Sequence, residues 1–180
     1  MKRLRVLLAD DHKIVAEGLR SLLESEFDFA GVVEDGRALL KAAEKVLPDV
    51  IVADISMPLL NGIEAVRRIK NLRPDTKIVF LTMHPDVTYA ARAFEAGASG
   101  YVLKHSAPSE LITAIRAAVK GQTYVSPVIA GELIQGYKEG TYLQKEHMTK
   151  LTPRQKEVLQ LLAEAFYYIC FANLTEPLLN

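Results

Sequence analysis

Asp10 and Asp11 close the apolar run Val6 to Ala9, Asp54 follows the run Val50 to Ala53, Thr82 ends a third run and Lys104 follows a fourth. If those runs are parallel strands of one open sheet, their carboxyl ends share an edge, and ligands bind beyond that edge. Three carboxylates within about 4 to 5 Å repel one another by roughly several kcal/mol at an effective dielectric near 20, and a divalent cation removes that repulsion. Hard oxygen ligands favour Mg²⁺, with Asp10, Asp11, Asp54 and the backbone carbonyl of Ser56 as the ligand set. A carboxylate so placed is a nucleophile towards phosphorus, giving an aspartyl phosphate when a metal and a cation neutralise the charge on the transferring oxygens. Asp54 is then the attacking group, with Lys104 and Mg²⁺ stabilising. His12 reads as filler of the following helix's N-terminus rather than as a ligand, and His84 and His105 as loop residues beside the site. Tyr101 stays open between a half-exposed strand residue and a functional one.

The elements that must position these groups alternate in a regular beat over residues 1 to 122. Leu4 to Ala9, Phe27 to Val33, Val50 to Ala53, Ile78 to Thr82 and Gly100 to Leu103 read as strands, being short apolar runs bounded by polar or turn residues. Helices fall between them. The first carries the rows Ile14/Gly18/Leu22 and Val15/Leu19/Leu23, and the second ends before Pro48. Asn61 with Glu64 is a capping box opening the third, Asp86 to Ala96 is the fourth, and Pro108 to Lys120 the fifth. Strict alternation of this kind predicts an α/β domain with five parallel strands, right-handed crossovers and helices on both faces.

The 180 residues carry 22 basic and 22 acidic side chains, so the chain as a whole offers no electrostatic attraction to nucleic acid or an anionic membrane. A single cysteine, Cys170, excludes an internal disulfide and suits a reducing cytosol, and the expected location is the cytoplasm. The least polar stretch, residues 165 to 174, is about half the roughly 20 residues a helix needs to cross a bilayer. No membrane span is expected. Residues 123 to 150 lose the beat and read as a linker, with a short helix opened by Ser126 and Pro127. Order returns at 151, where Thr152 is a good N-cap, Pro153 sits at the first helical position, and Val158, Leu159, Leu161, Leu162 and Ala165 form an apolar stripe.

The runs VLLADDH at 6–12, PDVIVADISMP at 48–58, LTMH at 81–84, AFEAGASGYVLK at 93–104 and LTPRQKEVLQLLAEA at 151–165 closely resemble those of two-component response regulators. Specifically, the chain resembles the NarL/FixJ family, which joins a receiver domain to a LuxR-type helix-turn-helix. The resemblance covers about 165 residues. It implies a flavodoxin-like receiver with strand order 2-1-3-4-5, phosphorylated on Asp54 by a sensor histidine kinase or a small phosphodonor, with Mg²⁺ as cofactor. It also implies a switch made by Thr82 and Tyr101. The phosphoryl group attracts the Thr82 hydroxyl, the tyrosine turns inward, and the face of the fourth helix, fifth strand and fifth helix changes shape. Homodimerisation through that face or the linker helix, and DNA as a partner, follow from the same resemblance. Many receivers follow the lysine with a cis proline; here His105 and Ser106 follow Lys104, and no cis bond is expected.

The DNA-binding part departs from the family. Residues 151–180 supply the first helix of the LuxR-type unit, but after Ala165 the chain reads Phe166-Tyr167-Tyr168-Ile169-Cys170-Phe171, and no recognition helix follows. This segment carries two basic and three acidic side chains, without the basic face that phosphate contacts require. The expected reading is a receiver whose DNA-binding output is truncated, with phosphoryl acceptance and loss on Asp54 in place of enzyme turnover. The alternative is a DNA-binding transcriptional regulator whose divergent tail assembles in a dimer. A third reading, a Mg²⁺-dependent phosphohydrolase with an aspartate nucleophile, needs an acidic residue at the position of Ser56.

Overall fold

The computed structural model describes residues 3–83 and 85–131. Five βα units follow in chain order: β1 (Arg5–Ala9), α1 (Lys13–Glu26), β2 (Asp28–Val33), α2 (Gly36–Val46), β3 (Val50–Asp54), α3 (Gly62–Leu72), β4 (Lys77–Thr82), α4 (Val87–Glu95), β5 (Gly100–Leu103) and α5 (Ala107–Val119). A 3₁₀ turn, Lys104–Ser106, joins β5 to α5, and a two-residue strand β6 (Tyr124–Val125) follows. Every pairing is parallel, in the order β2-β1-β3-β4-β5-β6.

The wholly apolar central strands hide a period of two that only the sheet reveals. Val6 and Leu8 of β1, Val50 and Val52 of β3, and Val79 and Leu81 of β4 pack with Ala16, Leu19 and Leu23 of α1 and with Leu111, Ala114 and Ile115 of α5. The intervening Leu7, Ala9, Ile51, Ala53, Ile78 and Phe80 face the other way, against Leu39 of α2, Val66 and Ile69 of α3, and Ala90 and Ala93 of α4. Each strand is thus buried on both sides, which is why its sequence runs continuously apolar.

Two details differ from the sequence expectation. The inward stripe of α1 is Ala16/Leu19/Leu23, while Ile14 is 91% exposed. Ile14 and Gly18 lie on the opposite side of the helix from Ala16, Leu19 and Leu23, at about 100° per residue, and so face solvent. The sheet also has six strands, not five. Gly121 (φ 76°) closes α5, its amide donating to the Ala118 carbonyl, and the chain turns back so that Tyr124 and Val125 pair with Gly100 and Tyr101. The open edge of β5 carries unpaired backbone groups, and even two residues satisfy some of them. A two-residue strand is too short to leave a periodic signal, so these residues read as linker. A helical turn over 127–131 follows, with Ile129 fully buried in the core. The rest of the linker and the helix expected from Thr152 lie outside the described residues.

Candidate functional site

The polar strand ends do meet. β1 ends at Ala9 and β3 at Asp54, and these strands are neighbours in register, Ala9 against Ala53, so Asp10, Asp11 and Asp54 emerge at one edge. Asp10 and Asp54 are almost wholly buried, and Asp11 is partly exposed. One ligand atom from each of Asp10, Asp11, His12 and Asp54 lies within 4.8 Å of the others.

Local hydrogen bonds aim the carboxylates. The His12 amide donates to Asp10 Oδ1 (2.9 Å), and the Ser56 amide donates to Asp54 Oδ1 (3.1 Å). Asn61 caps α3 by accepting from the Glu64 amide (2.9 Å), as the capping box predicts. The same helix start is pressed against the end of β3: Gly62 donates to the Ile55 carbonyl (2.9 Å), and a Cβ added to Gly62 would fall 2.0 Å from the Asp54 carbonyl oxygen. Only glycine permits this approach, which holds the β3–α3 loop under the site.

Lys104 enters from the end of β5. Its ammonium lies 2.6 Å from Asp54 Oδ2 and 2.8 Å from Asp10 Oδ2, with the side chain 3% exposed. Burial pulls the lysine down, but Asp54 and Asp10 together outweigh it, and its pKa ends above the ordinary value. Burial pushes the Asp54 carboxyl up, more strongly than Lys104 pulls it down, with Asp10 adding to the rise. One ammonium stands beside the three carboxylates Asp10, Asp11 and Asp54. Asp10 Oδ2 meets the Lys104 ammonium at 2.8 Å, and Asp11 Oδ1 meets His12 Nδ1 at 2.9 Å. Hard carboxylate oxygens grouped this closely suit a divalent cation such as Mg²⁺.

Thr82 ends β4, fully buried, one position beyond the level of Asp54 through the pairing of Asp54 with Leu81. Tyr101 is fully buried as well, which removes its reading as a half-exposed strand residue. It shares a hydrogen bond with Thr82, and burial raises its phenol to about 12. The tyrosine thus already lies inward. Ser56 is exposed and His105 is exposed in the 3₁₀ turn, away from the carboxylate cluster, while His84 lies outside the described residues.

His12 was not legible as a member of this group. Its Nδ1 stands 2.9 Å from Asp11 Oδ1, 3.2 Å from Asp10 Oδ1 and 3.5 Å from Lys104 Nζ. The available signal was adjacency to the Asp pair, which does not say whether a ring at a helix start turns inward or out.

Comparison with known proteins agrees with this geometry. Residues 6–116 match the response regulator receiver domain. The chain is 34% identical to the transcriptional regulatory protein DegU of Brevibacillus brevis, over 91% of this chain and 76% of that protein. It is similar to the crystal structure of a LuxR-family two-component response regulator from Aurantimonas sp. SI85-9A1, with TM-score 0.72, 39% identity, and coverage of 76% of this chain and 99% of that one. The RcsB response regulator of Salmonella typhimurium, in a structure described for its conformational dynamism for DNA interaction, matches with TM-score 0.70 and 31% identity over 91% of this chain and 78% of that one. Among the described residues, no helix is long and apolar enough to cross a membrane.

Proposed function

Because the chain belongs to the response regulator receiver family, we propose that it is a phosphorylatable receiver of a two-component system, with Asp54 as acceptor. The observation that carries this reading is the buried Lys104 ammonium held 2.6 Å from Asp54 Oδ2 and 2.8 Å from Asp10 Oδ2 at the strand ends. An oxygen of Asp54 bonds to phosphorus as the donor's P–N bond, in a histidine kinase, or P–O bond, in a small phosphodonor, breaks. Lys104 follows the charge onto the phosphoryl oxygens. Asp10, Asp11, Asp54 and the Ser56 carbonyl are the residues that would hold Mg²⁺, which when bound offsets the charge developing on the equatorial oxygens. The acyl phosphate is later lost to water on the same protein, so no separate substrate turns over. Incubation with Mg²⁺ and a small acyl phosphate should add one phosphoryl mass to the chain. An unmodified protein, or a modification that survives Asp54→Ala, overturns the reading.

The Thr82 hydroxyl is the switch group in this scheme. Drawn to the phosphoryl oxygens, it must loosen from Tyr101, and that exchange reshapes the α4–β5–α5 face, where a second copy of the chain is the proposed partner. The domain boundaries proposed are 1–122 for the receiver, 123–150 for the linker and 151–180 for a LuxR-type segment. DNA is a second proposed partner, favoured by the likeness to RcsB across 91% of this chain. A gel shift with a short duplex that weakens steeply with salt is the expected result for a DNA-binding regulator. No shift leaves a receiver without its own DNA output.

A further inference from the structure

We propose that His12 is a nitrogen ligand of the divalent-ion site, and that the site therefore takes a borderline transition-metal dication such as Ni²⁺ or Co²⁺ more tightly than Mg²⁺. The inference rests on the metal site proposed above and deepens it. What carries it is the position of the imidazole. His12 is the N-cap residue of α1, yet its side chain makes no capping bond. Instead Nδ1 points among the carboxylates, 2.9 Å from Asp11 Oδ1, 3.2 Å from Asp10 Oδ1 and 3.7 Å from Asp54 Oδ2.

Two atoms that ligate one ion at about 2.1 Å and at right angles lie about 3 Å apart. The separations from Nδ1 to Asp11 and Asp10 are of that size. Asp10 Oδ2 faces the Lys104 ammonium at 2.8 Å and Asp11 Oδ1 faces His12 Nδ1 at 2.9 Å, so a dication entering the cluster would share these oxygens with the lysine and draw the imidazole nitrogen with them. The Asp10 side chain is fully buried, while the His12 ring is 56% exposed. Asp10 and Asp54 are therefore held by the core, while Asp11 and the ring can adjust to an ion without disturbing it. The backbone helps, because the His12 amide donating to Asp10 Oδ1 at 2.9 Å holds the residue against the site. Bound through the Nδ1 lone pair, the imidazole keeps its proton on Nε2.

Ligand chemistry then decides the preference. Mg²⁺ favours oxygen and water, whereas Ni²⁺ and Co²⁺ gain from imidazole nitrogen. A site of three carboxylates alone separates these ions less than one that adds a nitrogen.

The experiment titrates the full chain with MgCl₂ and, separately, NiCl₂ by calorimetry, in the wild type, His12→Phe and His12→Asn. The Ni²⁺ binding event that Asp10→Asn abolishes is taken as this site, since other histidines also bind nickel. Expected is Ni²⁺ binding at least about tenfold tighter than Mg²⁺ in the wild type. Both His12 variants should lose about tenfold or more in Ni²⁺ affinity while Mg²⁺ affinity changes by less than about threefold. Sub-stoichiometric Ni²⁺ should also broaden the His12 ring resonances ahead of those of His105. Saturable Mg²⁺ binding with the same nickel-to-magnesium ratio in wild type and variants overturns the role of His12 alone. Failure of the wild type to bind Mg²⁺ at all removes the underlying metal site as well.

Discussion

Tyr101 carries information at two levels, because its ring fills the core while its hydroxyl meets Thr82 at the strand ends that carry Asp54. Its phenol is raised to about 12 against 10.0 for an ordinary tyrosine, mainly by burial. Above pH 10 the unfolded chain releases this proton while the folded chain still holds it. Folding stability is therefore whole below that pH and falls as pH climbs towards about 12, by about 3 kcal/mol for this group. Denaturation of Tyr101→Phe should show a shallower alkaline loss than the wild type over that window. At neutral pH the variant should lose about 1 kcal/mol for the missing hydrogen bond to Thr82. Equal alkaline slopes in the two proteins would contradict the buried, protonated phenol.

Elements position the site through contacts that tolerate no extra atom. The start of α3 lies against the end of β3, and a methyl group at residue 62 would sit 2.0 Å from the Asp54 carbonyl oxygen and 3.2 Å from the Ile55 Cα. Backbone cannot yield there without moving Asp54. Gly62→Ala should cost about 1 to 3 kcal/mol in chemical denaturation and slow phosphoryl uptake by displacing Asp54. Gly18, in the exposed middle of α1, has nothing within 4 Å of an added Cβ. There the same substitution should stabilise the fold by about 0.5 to 1 kcal/mol, because the helix loses a flexible residue and gains no clash. Opposite signs for one chemical change separate close packing from helix propensity.

Across the whole molecule, the chain after α5 closes the sheet rather than leaving it. Ser126 is buried, its amide donating to the Tyr101 carbonyl (2.9 Å), and its hydroxyl oxygen accepts from the Leu103 amide (3.1 Å) while donating to Glu110. Leu103 directly precedes Lys104. The segment leading towards residue 131 is thus tied to the strand that delivers the lysine, and Ile129 anchors it in the core. Ser126→Ala leaves the buried Leu103 amide without its acceptor and should lower the denaturation midpoint by an amount worth about 1 to 3 kcal/mol. An unchanged midpoint would mean that the Ser126 hydroxyl adds nothing to the edge of β5.

The alternating elements, the parallel class of the sheet, the cap at Asn61 and the polar residues at the strand ends were legible in the sequence, because period, capping chemistry and apolar run length are local properties. Asp10, Asp11, Asp54, Thr82 and Lys104 could be singled out for the same reason: each interrupts or follows an apolar run. Three things needed the tertiary structure. The two-residue β6 exists only because β5 offers an open edge, the burial of Tyr101 only because β6 and α4 enclose it, and the inward turn of His12 only because neighbouring carboxylates attract it. The first two are decided by what a distant segment brings alongside, of which adjacency in the chain carries no record. For His12 the neighbours Asp10 and Asp11 were adjacent in the chain, but the direction of the ring is a rotamer that the sequence does not state.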